Sequence, residues 1–384
     1  MSAYETTHPW LTFTVNLSRA PARLWTLLGE CNALCGQIAG SALFPESQRE
    51  VEQRYLARET LALTGIEPSV ISESEIGGII DGSVNLPPSR KYLVLQARNM
   101  LRGFEESAAR FHRDGYRPLT GDVITGFNHT ALDGLVLSAE INPGEYRRND
   151  VNEPGRSWNP VPAEDVAHLV EMLCSWLSSR TFSPPPGMTV IYGILKAVFA
   201  RAYLAWIHPF EDGNARTTGL VEYDILVSSG VPTVAAHMMG LFYHETGREY
   251  GYQFERASTP DGKFLPFLVY SVQGFRDALY RLARDIHDIQ RDEIWLSYIN
   301  ERFHGKSSPA DIRRRQLAIE LSRCDGPVPL PMIVDACPSL ARSYVTRTYK
   351  TLTRDVQDLV NAGLVVKTGD GFAVDRKKVE GFRP

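Results

Sequence analysis

His208-Pro209-Phe210-Glu211-Asp212-Gly213-Asn214-Ala215-Arg216 is a short run of polar and turn-forming residues set between two apolar stretches. Residues 188–207, just before it, are apolar nearly all round, the pattern of a helix buried in the middle of a domain. A second apolar helix follows over residues 215–228. The segment is therefore expected to be a helix–loop–helix junction inside a core. Polar groups in such a place need partners or a task, because burying them unsatisfied is costly.

Taken singly, the residues of this loop suggest the task. His208 is the one side chain in it that takes and releases a proton near neutral pH. Asp212, four residues on, offers a hard oxygen ligand of the kind Mg²⁺ prefers. Gly213 and Asn214 permit a tight turn, and the backbone amides from Gly213 through Arg216 fall at a helix start. Open amides and the positive end of the helix dipole make that place an anion site. Arg216 adds a forked, permanent cation suited to phosphate. A base, a metal ligand, a phosphate cradle and a cation in one loop are the parts needed to move a phosphoryl-linked group.

The same residues resemble the signature of the Fic (filamentation induced by cAMP) domain family of protein adenylyltransferases. That signature reads His-Pro-Phe, any residue, Asp or Glu, Gly-Asn, Gly or Lys, Arg, two further residues, Arg. Through Arg216 only Ala215 departs from it. Gly144-Glu145-Tyr146-Arg147 resembles the family's flap, Tyr250 and Tyr252 resemble its adenine-facing aromatic cluster, and His8-Pro9-Trp10 with Phe13 resembles the N-terminal region of one branch. The resemblance implies ATP and Mg²⁺ as cosubstrates and transfer of AMP to a Ser, Thr or Tyr hydroxyl of a target protein. It implies His208 as the base, Asp212 as the Mg²⁺ ligand, Gly213, Asn214 and Ala215 as the anion hole, and Arg216 on the β-phosphate side. Phe210 would anchor the loop. A homodimer is compatible with the family.

Two positions depart from the pattern in ways that bear on regulation. The second arginine of the signature is Gly219 here. In autoinhibited members that arginine pairs with a Glu from an inhibitory Ser-x-Ile-Glu-Gly helix. The better match to that helix is Ser74-Glu75-Ile76-Gly77-Gly78, followed by Asp81 and Val84, which puts Gly77 where the Glu should stand. A second register, Thr64-Gly65-Ile66-Glu67-Pro68, keeps a Glu but sets Pro in place of Gly. Under the first, both members of the inhibitory ion pair are absent together, which is coherent because a lone buried charge is costly. Gly77 is then the regulatory position of a brake that is gone.

The rest of the chain reads mainly α: a Fic-type helical bundle with a small β-hairpin flap at residues 144–151, plus a C-terminal winged helix-turn-helix. Helices are expected at 24–40, 46–64, 90–114, 118–129, 162–178, 313–323, 330–336 and 348–362. A hairpin is expected where 364–367 and 372–374 flank Thr368-Gly369-Asp370-Gly371. The implied divisions are an N-terminal helical region at 1–88, a Fic core at 89–300 and the winged helix at 310–384.

Composition sets the outer limits. With 384 residues, 43% hydrophobic and 22% charged, the chain is that of an ordinary globular protein. Its net charge of −4 does not favour polyanion binding in bulk. The first thirty residues lack a basic segment followed by an apolar run, so no secretory signal is expected. No stretch reads as a membrane helix; the longest apolar run, 190–207, is broken by Lys196 and Arg201. Five cysteines at irregular spacing do not read as a disulfide framework and point to a reducing, cytoplasmic setting. Cys31 and Cys35, one helical turn apart, read as a buried helix face. Between 311 and 384 there are 13 Lys and Arg against nine Asp and Glu. Arg342, Arg347, Lys350 and Arg354 cluster at the expected recognition helix. A rival function follows: a DNA-binding transcriptional regulator, contacting duplex DNA through the C-terminal domain, with a degenerate or nucleotide-sensing Fic core. The same surface would serve equally for protein contact.

Overall fold

The structure is a computed structural model that describes residues 3–65, 71–80, 82–83, 87, 90–152, 159–259, 264–324, 326–344 and 347–379. It divides into two compact units, residues 1–41 with 46–284, and 42–45 with 285–384. Helices of the first unit are α1 (Ala3–Thr7), α2 (Ala22–Ala39), α3 (Pro45–Thr64), α4 (Glu73–Ile80), α5 (Lys91–Asp114), α6 (Gly121–Leu132), α7 (Val166–Leu177), α8 (Thr189–Ile207), α9 (Asn214–Ser228), α10 (Thr233–Glu245) and α11 (Gly247–Ala257). The long α12 (Phe264–Arg302) starts in this unit and ends in the second.

α8 and α9 form the centre of the first unit. α8 packs against α2, α7 and α9, and α9 against α5, α6 and α10. By length and composition α8 meets the requirement for a membrane span, which the sequence reading had not granted it. It is instead the core helix, with 78% of its apolar window buried inside the protein. Glycines allow the closest approaches. A Cβ at Gly193 would overlap Ser229 at the end of α9, and one at Gly103 would come within 2.7 Å of Leu220.

Residues 1–88 do not form a compact unit of their own. Ile71, Ile76 and Ile79 on and before α4 share one apolar cluster with Ala57 and Leu61 of α3 and Leu93, Ala97 and Leu101 of α5, so burial carries the packing straight across the expected boundary. The N-terminal segment is also tied down. Tyr4 N–H donates to Asp165 Oδ2 at 3.0 Å, His8 Nε2 lies 2.6 Å from the Asn159 carbonyl, and Phe13 N–H donates to the Tyr203 hydroxyl at 3.3 Å. Cys31 and Cys35 are buried on α2. Burial pushes the Cys35 thiol up to about 12. Among the described residues no cluster of three or more metal-ligating side chains exists.

Charge inside this core is paired. Arg201 of α8 donates to Glu222 of α9 at 2.7 Å, and its guanidinium lies 4.3 Å from the centre of the Tyr243 ring. Nearby, Glu59 of α3 pairs with His237 of α10, whose ring stacks on Tyr223 at 4.8 Å. Burial pushes the Glu222 carboxyl up to about 7 against the pull of Arg201.

The second unit contains α13 (Pro309–Leu321), the short α14 (Ile333–Ala336) and α15 (Ala341–Tyr344), α16 (Tyr349–Asn361), and strands β1 (Val365–Thr368) and β2 (Gly371–Val374). The strands pair antiparallel with Val365 opposite Val374. Its core gathers Trp295, Ile299, Leu317, Ile333, Leu352 and Val356. Among the described residues β1–β2 is the one sheet. The expected β-hairpin at 144–151 is absent over the described 144–152, which run as a turn and extended coil.

The buried Arg201–Glu222 pair generates a prediction with a sign in pH. In Arg201→Met the folded state holds Glu222 protonated, while the unfolded carboxyl ionises near its ordinary 4.5. The unfolded state then binds fewer protons, so the variant loses stability as pH rises. Chemical denaturation should show a cost of about 3–5 kcal/mol near pH 8 and a smaller one near pH 5.

Candidate functional site

α8 ends at His208, which caps it in the left-handed region at φ 48°, ψ 65°, with its N–H on the Leu204 carbonyl at 2.8 Å. A non-glycine residue rarely adopts that conformation and needs its surroundings to hold it there. Arg147 does so. Its side chain is wholly buried. Nε donates to the His208 carbonyl at 2.7 Å, Nη1 to Asn149 O at 2.9 Å, and Nη2 to Ile207 O at 3.2 Å and to the Val161 carbonyl. Its own N–H donates to Pro209 O at 2.9 Å. The Arg147 N–H is thus committed to the loop after α8 and the Gly144 N–H to Asn128, which takes both from the ladder a hairpin would need.

The next turn is closed by Asn214. Its Oδ1 accepts from Phe210 N–H at 3.0 Å and its Nδ2 donates to Phe210 O at 2.6 Å. Phe210 is 1% exposed and its ring lies 5.7 Å from that of Tyr146. Gly213 follows at φ 80°, and a Cβ there would come within 3.0 Å of Asn128 Nδ2. Asn128 is 1% exposed. It donates to Asp212 O at 3.0 Å and Thr217 Oγ1 at 3.1 Å, and accepts from Gly144 N–H at 2.9 Å. It therefore joins α6, the 144–150 segment and the loop.

This geometry leaves open the groups an anion would use. α9 has no side-chain cap at its N-terminus, so the amides of Asn214, Ala215 and Arg216 are left without helical acceptors. Ala215 lies inside α9 and is absent from the positive-φ residues, so it carries no left-handed strain. Arg216 Nη2 donates to Asp212 Oδ1 at 3.1 Å, while its buried Nη1 has no hydrogen-bond partner among the described residues. Gly213 N–H also donates to Asp212 Oδ1, at 2.5 Å, which leaves Oδ2 of this 41% exposed side chain without a donor among the described residues. One open carboxylate oxygen suits a divalent cation that completes its shell with phosphate and water, as Mg²⁺ does.

Tyr250 and Tyr252 are not brought to one face. Tyr250 joins an aromatic layer with Tyr243 at 4.9 Å and Phe254 at 5.8 Å, whereas Tyr252 is 55% exposed under Arg256. Gly77 lies in α4 with open space around its missing Cβ. Asp81, Val84 and Glu67 lie outside the described residues. Gly219 faces a filled space: a Cβ there would come within 2.6 Å of Leu63 of α3. A cavity of about 1020 Å³ opens elsewhere in this unit, walled by Trp10, Phe199, Tyr203, Trp206 and Phe264, and none of His208, Asp212, Asn214 or Arg216 lines it.

Residues 119–226, from the turn before α6 to the end of α9, match the sequence model of the Fic/DOC family. The chain carries a Fic/DOC family domain. Over 94 residues, 24% of the chain, it is 35% identical to protein adenylyltransferase Fic of Drosophila erecta and of Drosophila melanogaster. Those residues make up 17% and 18% of these relatives, so the chain matches under a fifth of their length. Among solved structures, a Fic family protein from Desulfovibrio desulfuricans G20 superposes with a TM-score of 0.55 at 16% identity, over 96% of this chain and 98% of that one. Fic-1 from C. elegans gives 0.51 at 20% identity over 70% and 74%. These likenesses concern the fold. The Fic domain brings His208, Asp212, Asn214 and Arg216 into one loop. Asn128 was missed from sequence, although a lone Asn among the buried Ile124, Phe127, Ala131 and Leu132 of α6 is a signal of a buried polar role.

Asn128→Ala would orphan the Gly144 N–H and the Asp212 carbonyl. Denaturation should register a loss of about 1–3 kcal/mol, and hydrogen exchange should show faster exchange at the Gly144 amide.

Proposed function

We propose that this protein transfers AMP from ATP to a Ser, Thr or Tyr hydroxyl of a target protein. The observation that carries the proposal is the partly buried guanidinium of Arg216. Its Nη1 has no hydrogen-bond partner among the described residues, and it stands beside the uncapped N-terminus of α9, eight residues after a histidine held at a helix exit. An anion satisfies the orphan nitrogen and the amides together. The partial match to relatives named protein adenylyltransferase Fic supports the nucleotidyl reading.

In this reading the target hydroxyl attacks the α-phosphorus and His208 takes its proton. The bond from the α-phosphorus to the bridging oxygen breaks, and pyrophosphate leaves. The open amides of Asn214, Ala215 and Arg216 hold the phosphate oxygens, and the Arg216 side chain balances charge on the leaving side; the Gly213 amide, expected in the same cradle, is taken by Asp212 Oδ1. Asp212 would hold Mg²⁺, which when bound offsets phosphate charge and orients the leaving group. Of the two tyrosines, Tyr252 is the exposed one, whereas Tyr250 is committed to the aromatic layer with Tyr243 and Phe254. Leu63 fills the space before Gly219, so a carboxylate placed at Gly77 has no arginine there to pair with.

Incubation with α-labelled ATP and Mg²⁺ tests this. Label should appear on the chain or on a lysate protein and vanish with His208→Ala, while Gly77→Glu alone should stay within a few-fold of the parent. Label that survives His208→Ala, or none in any sample together with no ATP binding by calorimetry, would overturn the proposal.

A further inference from the structure

α16 has two chemically distinct faces. Leu352, Val356 and Leu359 are buried on one. On the other, Lys350, Thr353, Arg354 and Gln357 are exposed at i, i+3, i+4 and i+7, one stripe of a 3.6-residue helix. Both carboxylates of the helix are turned away and neutralised. Asp355, fully buried, accepts from Arg313 at 2.5 and 3.1 Å and from the Tyr344 hydroxyl at 3.0 Å. Asp358 lies 3.5 Å from Arg314. Two arginines of α13 thus cancel the negative charge of α16 and leave its outer stripe cationic and amide-bearing.

The segment leading into the helix continues this pattern. Residues 336–354 hold four cations and no carboxylate. Arg342 and Arg347 are exposed like Lys350 and Arg354, and none of the four forms an ion pair among the described residues. Thr348 at the N-terminus of α16 makes no side-chain cap, so the first amides of a 13-residue helix are open beside these cations. Its length is about 20 Å and its width about 10–12 Å, which suits the major groove of a duplex, roughly 12 Å across. Arg and Lys pair with phosphate and guanine, and Gln with adenine. Four cations in these 19 residues are about twice the density of Lys and Arg over the whole chain, 41 in 384.

We propose that the outer stripe of α16, with Arg342 and Arg347, is a docking surface for duplex nucleic acid. The phosphates engage the cations and the helix N-terminus, while Thr353 and Gln357 face the base edges. The inference does not depend on the transferase reading, since no residue of the His208 loop takes part.

Fluorescence anisotropy of the full chain with a labelled duplex of about 25 base pairs, titrated over salt, tests it. Four cations at about −0.9 each predict a log K against log salt slope of roughly −3 to −4, with micromolar affinity at low salt. Lys350→Ala/Arg354→Ala should flatten the slope by about 2, with an unchanged circular dichroism spectrum because both side chains are exposed. Lys350→Arg and Arg354→Lys should restore it, and His208→Ala should leave binding as it was. No saturable binding at low salt, a slope unmoved by the double variant, or equal capture of a poly-glutamate peptide would overturn the proposal, the last by assigning an acidic protein partner.

Discussion

The buried guanidinium of Arg147 is the constraint on which the Fic domain's site depends. A helix that stops inside a core leaves carbonyls without partners, and water is not there to satisfy them. Arg147 answers the carbonyls of Ile207 and His208 and also reaches Asn149 and Val161. Only with that clamp does His208 keep a left-handed backbone, and only from that turn does the chain reach Phe210 and the uncapped start of α9. Asn214 and Asn128 then work as local staples, each joining backbone groups that would otherwise be orphaned by the sharp change of direction.

Around this loop the protein alternates rigidity with openness. The backbone of 207–214 is fixed by the buried side chains of Arg147 and Asn128 and the partly buried Asn214. What remains without a protein partner among the described residues are charged or donor groups: the buried Nη1 of Arg216, one oxygen of Asp212 and the first amides of α9. Preorganised donors of this kind favour charge that develops in a reaction, because no reorganisation is needed when it appears. Folding stability is supplied elsewhere, by the all-round burial of α8 and by paired charges between it and α9.

The central part of this arrangement was legible in the sequence because its signals are local. Polar residues packed densely between two apolar helices marked the junction, and α8 and α9 begin and end within a residue or two of the expected positions. What was not legible depends on distant partners. Nothing near Arg147 in sequence says that its hydrogen bonds go to residues 207–209, so the 144–151 segment read as a hairpin. The apolar cluster that fuses α3, α4 and α5 spans a Pro-rich stretch that looks like a boundary. Tyr250 and Tyr252, two residues apart on α11, had to diverge once that segment was helical, since a separation of two turns side chains to different faces. Exposure of the α16 stripe became readable only after Asp355 and Asp358 were seen to be held by α13.

At Gly219 of α9 the methyl groups of Leu63 on α3 fill the space that a side chain would need. Where two helices meet through an ion pair, the strength of the join follows the electrolyte around it, weakening as counter-ions accumulate. A join made by dispersion and burial carries no such dependence. At this point the protein has a seam whose tightness is set by shape, and the ionic composition of its surroundings has little hold on it.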